Sequence, residues 1–585
     1  MATAKASSKK IKKKVKKLSA EEKSQRATQR AFARQVQTIF IKSGYNRIAE
    51  ASDKEFTFEG RTSDFDDVFI KENVIVCCEH TITKESNLGE HVKNKAHIYN
   101  FIEDNVGDFI KFLRHKFPSL DAAILPGYHP SQLRLRIVYC SDTEVKAEHK
   151  DLAPKTLFLW KGSIKYFKSI SDTVKLSARY ELNEYLRIPF SEAGEGGTLP
   201  AGEDSSKFQG TVLPEAHSNF PTGYKILSFY VSPDALLKRA YVLRKDGWKD
   251  DDGLYQRMID REKVEKIRKY LRREERTFVN NVIVTLPDST KILDSEGNTV
   301  EPATLEVTTP VTIQLPNRAN SVGIVDGQHR IFSYYEDSSE DPQITVYRKR
   351  QNLLATGIMY PNGLSPSERS KFEAGLFLEI NSTQNAAKSD LKQAIAVITA
   401  PFSHDSIGKR IVSRLSTAGA LEGKLERHFF DSGVLKTTSI VSYGLRPLIR
   451  IDGEESLFKN WKSPSSAKVS SGEDVDSLLE YVSFATTQVN TFLGAARSVI
   501  GNEKWLVRGK DNSGLLTVTS VNALLILLRK ISHYQGLKDF DSHRESLTKI
   551  NGIDFGIYRS SQWNRMAEDM YEACFGELPS TAKEP

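Results

Sequence analysis

Five consecutive residues, Asp326-Gly327-Gln328-His329-Arg330, hold the densest polar chemistry in this chain. They follow the apolar run Val322–Val325 and precede the apolar-periodic stretch Ile331-Phe332-Ser333-Tyr334-Tyr335. This pattern predicts a strand, a tight Asp-Gly turn and the start of a helix. Such a junction gathers backbone N–H groups, the positive end of a helix dipole and a guanidinium at one point, which suits an anion and above all phosphate. Arg330 offers forked donors that match phosphate oxygens, a geometry lysine cannot reproduce. His329 can donate to a phosphoryl oxygen or move a proton, Asp326 can position a metal ion or a water, and Gln328 can orient an attacking water. Phosphoryl transfer requires chiefly positioning and charge neutralisation, and these residue types supply both.

The pentapeptide resembles the signature of the DGQHR-domain proteins, whose best-known branch is the DndB family linked to DNA phosphorothioate modification. Its Gly-x-His-Arg core is also similar to the phosphate loop of the ParB/sulfiredoxin superfamily. Two further blocks match the family in the same order. Upstream stand Tyr255-Gln256-Arg257, a charged helix near 261–273, and Phe278-Val279-Asn280-Asn281 entering the strand Val282–Leu286. Downstream stand Phe377-Leu378-Glu379-Ile380-Asn381-Ser382-Thr383-Gln384, then Lys388 and Leu391. The resemblance covers roughly residues 220 to 400 and implies a ParB/sulfiredoxin-like α+β domain that binds and hydrolyses a nucleoside triphosphate, ATP with Mg2+ as cofactor. Asp326, Gln328, His329 and Arg330 would be catalytic there, with Gly327, Arg257 and Asn281 holding phosphate. Asn381 and Gln384 offer amides to a ribose, base or sugar-phosphate edge, although Ser382 equally suits a helix cap. The implied partners are DNA and other DNA modification or defence proteins. The DndB branch also permits a DNA-binding regulator without turnover, its loop gripping DNA phosphate.

A second constellation lies upstream. Asp66 or Asp67 opens one strand-like run and Glu79 ends the next, while Glu50 closes the first helix. Paired strands would bring these acids together, and the set Glu50, Asp67 and Glu79 could hold a divalent metal through hard oxygen ligands. The segment resembles the PD-(D/E)xK nuclease fold, which places an acid and a Glu-x-Lys motif on adjacent strands. Here the chain reads Glu79-His80-Thr81, with Thr81 where the family has its lysine. Lys84, Lys93 or Lys95, at the start of the next helix, are the available substitutes.

The elements that must position these groups follow from periodicity. A helix is expected over about 20–50, with Phe32, Val36, Ile39, Phe40 and Ile48 as its apolar stripe. Strands are expected at 56–58, 68–70 and 74–78, the last two joined by a hairpin turn at Lys71-Glu72-Asn73. One helix from about Leu88 to Phe117, strands near 133–139 and 157–159, and a helical stretch to Arg187 complete this region. The fold class expected is α/β multidomain. It has a basic disordered tail (1–20), a nuclease-like α/β domain (21–191), a Gly/Ser/acid-rich linker (192–215), a DGQHR domain (216–400) and a helical C-terminal region (401–585). The segment Glu379–Leu391 reads as a strand passing into a helix.

Composition sets outer limits. The 585 residues include 39% hydrophobic and 27% charged side chains, ordinary for a globular protein. There is no apolar run near membrane-spanning length and no signal-peptide core, so a cytoplasmic, membrane-free protein is expected. Net charge is +8, and the eight lysines within residues 1–17 account for it, a tail suited to salt-sensitive polyanion binding. Four cysteines without Cys-x-x-Cys spacing point to reduced thiols and away from a zinc site or a disulfide framework. Walker A, Rossmann, Gly-x-Ser-x-Gly and His-Glu-x-x-His patterns are lacking.

Overall fold

Ser19 opens the first helix, α1 (Ala20–Lys42), through a reciprocal capping box with Glu22. The expected stripe of Phe32, Val36, Ile39 and Phe40 is buried along it, and Ile48 is buried beyond its end. The computed structural model describes residues 19–124, 128–189, 192–194, 205–244, 248, 256, 258–338, 341–384, 389–428, 431–509 and 514–577, without the side chains of 205 and 382–384. The basic tail expected over 1–20 therefore lies, up to residue 18, outside the described residues. The chain is mixed α/β and divides into two compact units, Met1–Ala201 with Tyr335–Glu340, and Gly202–Tyr334 with Asp341–Pro585.

In the N-terminal unit, β1 (Asn46–Arg47), β2 (Asp67–Lys71), β3 (Val74–Thr81), β4 (Arg134–Ser141) and β5 (Leu157–Trp160) form a five-stranded sheet in that order. The first three strands are antiparallel, whereas β4 joins β3 and β5 joins β4 in parallel. A parallel step requires a crossover, supplied between β3 and β4 by α2 (Glu85–Asp104) and α3 (Val106–Lys116). The single helix expected over 88–117 is thus two. Asn105 breaks it, bonding its side chain back to the Phe101 carbonyl, and Pro118 forces Phe117 out of helical geometry. All eight residues of β3 are buried, as befits a central strand covered on both faces. Phe56, Phe58, Phe65, Tyr99 and Phe109 supply the aromatic core on one side.

The second unit contains an eight-stranded sheet. Its order is Ala240–Tyr241, Val322–Asp326, Val282–Leu286, Leu353–Met359, Lys225–Val231, Ser205–Val212, Thr309–Pro316 and Lys291–Leu293. The linker expected over 192–215 is therefore only partly one. Residues 205–212 pair antiparallel with 309–316, because Phe208, Gly210 and Val212 alternate with polar neighbours in a short period-two pattern that the Gly/Ser composition masks. The same unit takes in the helical C-terminal part. Its core forms around Val475–Ile500 and Val518–Tyr534, and buried Trp505 donates to the Ala420 carbonyl. Among the described residues no helix is long and apolar enough to cross a membrane.

Candidate functional site

Strand register decides which acids meet in the N-terminal unit. Asp67 pairs with Cys78, so the next position outward sets Asp66 across from Glu79. Alternation then places Asp66 and Glu79 on one face of the sheet and Asp67, Cys78 and His80 on the other. Asp66 accepts a 2.6 Å hydrogen bond from the His80 backbone N–H. Glu79 meets α2, where His91, Lys95 and Tyr99 recur every four residues along one helix face. Lys95 Nζ donates to Glu79 Oε2 at 2.8 Å and to Asp64 Oδ1 at 2.9 Å, and the Tyr99 hydroxyl donates to Glu79 Oε2 at 3.2 Å. His91 Nε2 lies 3.8 Å from Glu79 Oε1, and its Nδ1 is 2.7 Å from the Tyr139 hydroxyl.

Burial governs the electrostatics. It pushes the Glu79 carboxyl up to about 7 against the pull of Lys95, and Asp66 adds to the rise. Burial likewise raises Asp66, and it lowers His91 with help from Lys95. It also works against the Lys95 ammonium, but Glu79 and Asp64 outweigh it and raise that group. The result is a pair of hard oxygen donors beside a firmly held cation, suited to a divalent metal and the charge of a phosphodiester.

Of the expected metal ligands, Glu79 is at this site and the other two are placed elsewhere. Glu50 sits in an exposed turn after β1, rather than closing α1, and accepts from the Ser119 backbone N–H at 2.9 Å. Asp67 points to the opposite face, bound by Arg47 and by Gln37 at 3.0 Å. Among the three candidate lysines, Lys95 is the one in contact with Glu79. Asp64, His91 and Tyr99 are not foreseen from the sequence as members of this site, His91 reading there as a structural histidine, although the four-residue spacing of His91, Lys95 and Tyr99 is a readable signal.

In the second unit the Asp-Gly turn is as expected. Gly327 takes φ +97°, and a β-carbon there would stand 2.7 Å from Val282 Cγ1. The helix beyond it spans only Gln328–Phe332, shorter than the apolar pattern predicts, and Ser333 ends it by returning its hydroxyl to the Arg330 carbonyl. Arg330 Nη2 is tied to Asp326 Oδ2 at 2.9 Å. The Asp260 backbone N–H donates to His329 Nε2 at 3.2 Å, and burial, aided by Lys263, brings that imidazole down to about 4. His329 is therefore neutral at physiological pH. The Gln328 amide oxygen is buried without a hydrogen-bond partner among the described residues.

The remaining expected residues do not converge here in the described structure. Asn281 donates to Thr356 Oγ1 at 2.8 Å across neighbouring strands. Asn381 lies in the helix Pro366–Gln384, not in a strand, and returns its amide to the Phe377 carbonyl one turn back. A Ser365–Glu368 capping interaction starts that helix, which runs on through the start of the Glu379–Leu391 segment where a strand is expected. Arg257 and the Gln384 side chain lie outside the described residues.

A polar cluster unforeseen from the sequence sits deeper in the second unit. Glu373 is fully buried, and Tyr241, Thr285 and Tyr360 all donate hydroxyls to its Oε1. Gly323 makes room for it, since a β-carbon there would fall 2.3 Å from Thr285 Oγ1 and 2.6 Å from Glu373 Oε1. Comparison with known proteins finds no matching family model, no similar curated protein and no similar solved structure.

Proposed function

We propose that the N-terminal unit is a PD-(D/E)xK-like domain that cleaves DNA with a divalent metal, within a protein of a DNA modification or antiphage restriction system. The observation that carries this is the 2.8 Å contact between Lys95 and Glu79, beside Asp66, which sits just before the neighbouring strand β2 and accepts from the His80 backbone N–H. The resemblance calls for an acid and a Glu motif on adjacent strands, and β2 and β3 are neighbours in the sheet, which supports this reading. Lys95 on α2 fills the part left open by Thr81. Asp66 and Glu79 would hold Mg2+, with Asp64 close by. The ion, when bound, supplies positive charge to the phosphate and acidifies a water. Lys95 offsets the charge that grows on the phosphorus-bound oxygens as the P–O bond breaks. Tyr99 and the His91–Tyr139 pair orient the Glu79 carboxylate.

The test is cleavage of plasmid and linear DNA with Mg2+ or Mn2+, comparing the wild type with Lys95→Ala. Cleavage reduced by roughly a hundredfold in the variant is expected. Cleavage unaffected by Lys95→Ala would remove this residue from the reaction, and no cleavage by a folded wild type on any DNA tested would reject the assignment.

A second reading rests on the buried, unpartnered Gln328 oxygen, an acceptor available to a nucleotide hydroxyl or amino group. In that reading the second unit is a ParB/sulfiredoxin-like DGQHR domain that hydrolyses ATP with Mg2+, and Arg330 exchanges Asp326 for phosphate. Phosphate release that depends on Arg330 supports it. DNA binding without turnover of either substrate supports a DndB-like regulator instead.

A further inference from the structure

The face of the N-terminal sheet opposite Glu79 carries chemistry of another kind. Cys78 and His80 project from β3 to that side, and Cys140 projects from β4, where it pairs in register with His80. The two sulfurs and an imidazole nitrogen lie within 4.8 Å of one another, and all three residues are buried. Linear spacing concealed this set, because a parallel crossover of some sixty residues separates His80 from Cys140.

Two details set the cluster apart from ordinary buried thiols. His80 Nε2 has no hydrogen-bond partner among the described residues, although its side chain is only 3% exposed. An imidazole nitrogen so placed costs stability unless something ligates it. Asp67, 1% exposed, holds Oδ2 at 3.5 Å from that same nitrogen while Arg47 binds its Oδ1. A tetrahedral zinc with bonds of about 2.0–2.3 Å has ligand-to-ligand edges of roughly 3.3–3.8 Å. The spacing of His80 and Asp67 already matches such an edge.

We propose that Cys78 Sγ, Cys140 Sγ and the His80 imidazole form a structural zinc site on the sheet face opposite Glu79, with Asp67, which lies outside that 4.8 Å set but 3.5 Å from His80 Nε2, drawn in as the fourth ligand. Soft thiolates with an imidazole select zinc over magnesium or calcium, so the hard-oxygen site across the sheet does not compete for the same ion. Binding releases the two thiol protons to solvent. The charges then close, since two thiolates balance the ion and Arg47 balances Asp67. A buried site favours such a neutral sum. The site would clamp β2, β3 and β4 at the positions where the opposite face presents Asp66 and Glu79.

The test uses tag-free full-length protein, with metal content measured after extensive dialysis, and cobalt-grown protein examined for thiolate-to-cobalt charge-transfer absorption. One zinc per chain and a tetrahedral cobalt spectrum are expected. Cys78→Ser and Cys140→Ser should lose the metal and the spectrum, and Asp67→Asn should weaken retention against a chelator by roughly 10–100-fold. Glu79→Gln should keep the zinc, which separates this site from the proposed cleavage site and leaves the proposal standing even if the protein cuts no DNA. Circular dichroism identifies any variant that fails to fold, and the spectrum of the cobalt-loaded wild type does not depend on variants. Wild-type protein that is folded yet metal-free and silent with cobalt would overturn the proposal. So would a Cys78–Cys140 disulfide, or zinc that leaves with Glu79→Gln and stays with Cys78→Ser.

Discussion

Glu79→Gln is expected to end metal-dependent cleavage while making the N-terminal unit more stable above neutral pH. The carboxyl's ordinary value of 4.5 is pushed up to about 7 by burial, so the folded state holds the proton more tightly than the unfolded chain does. Its favourable contribution is complete below the unfolded value and is lost as pH rises through about 7. A gap of this size is on the order of 3 kcal/mol. Glutamine, neutral throughout, escapes it, and Lys95 keeps its 2.9 Å bond to Asp64. In chelator, wild type and variant should unfold alike at about pH 5, and the variant should unfold at a higher temperature at about pH 8. Cleavage with Mg2+ should fall by roughly a hundredfold or more, because an amide is a poor ligand for a hard cation. An equal stability difference at both pH values would refute the electrostatic half, and undiminished cleavage the catalytic half.

The largest loss of stability is expected from Glu373→Ala. Tyr241, Thr285 and Tyr360 all donate to Glu373 Oε1, so one substitution strips three buried hydroxyls of their acceptor and opens a cavity. A cost of about 3–5 kcal/mol is expected, read from urea unfolding. Glu373→Gln leaves an oxygen at the point of convergence and should cost less than half as much. A change under about 1 kcal/mol for the alanine variant would mean that the hydroxyls find other partners, and the cluster would then not be what holds the strands Ala240–Tyr241 and Val282–Leu286 to the helix Pro366–Gln384.

Local features were legible in the sequence. The α1 stripe, the Lys71–Asn73 turn and the Asp-Gly turn are each set by residues near in sequence, and each stands where its pattern puts it. Facing was not legible. Choosing between Asp66 and Asp67 requires the β2–β3 register, because adjacent residues of a strand point oppositely. The cysteines meet only through a parallel pairing that no spacing rule encodes. Glu373 is hidden for another reason. An acid within a helix reads as a solvated position unless its partners are known, and those partners come from three separate strands or strand ends. The start of the Glu379–Leu391 segment misleads because β propensity is overridden once a capped helix has started upstream.

Strand β3 carries oxygen chemistry on one parity and sulfur–nitrogen chemistry on the other. A one-residue slip against β2 would therefore exchange the kinds of atom presented to each side, where in most strands it would only misplace hydrophobic groups. The two-residue turn Glu72-Asn73 thus acts as a reading frame. Asn73 anchors it, its amide donating to the Gln132 and Glu192 carbonyls, both at 2.7 Å, and its oxygen accepting from the Gly194 N–H at 2.8 Å. Insertions or deletions are usually tolerated best in turns, but at this turn a single added residue would act as a frameshift of function within an otherwise intact sheet.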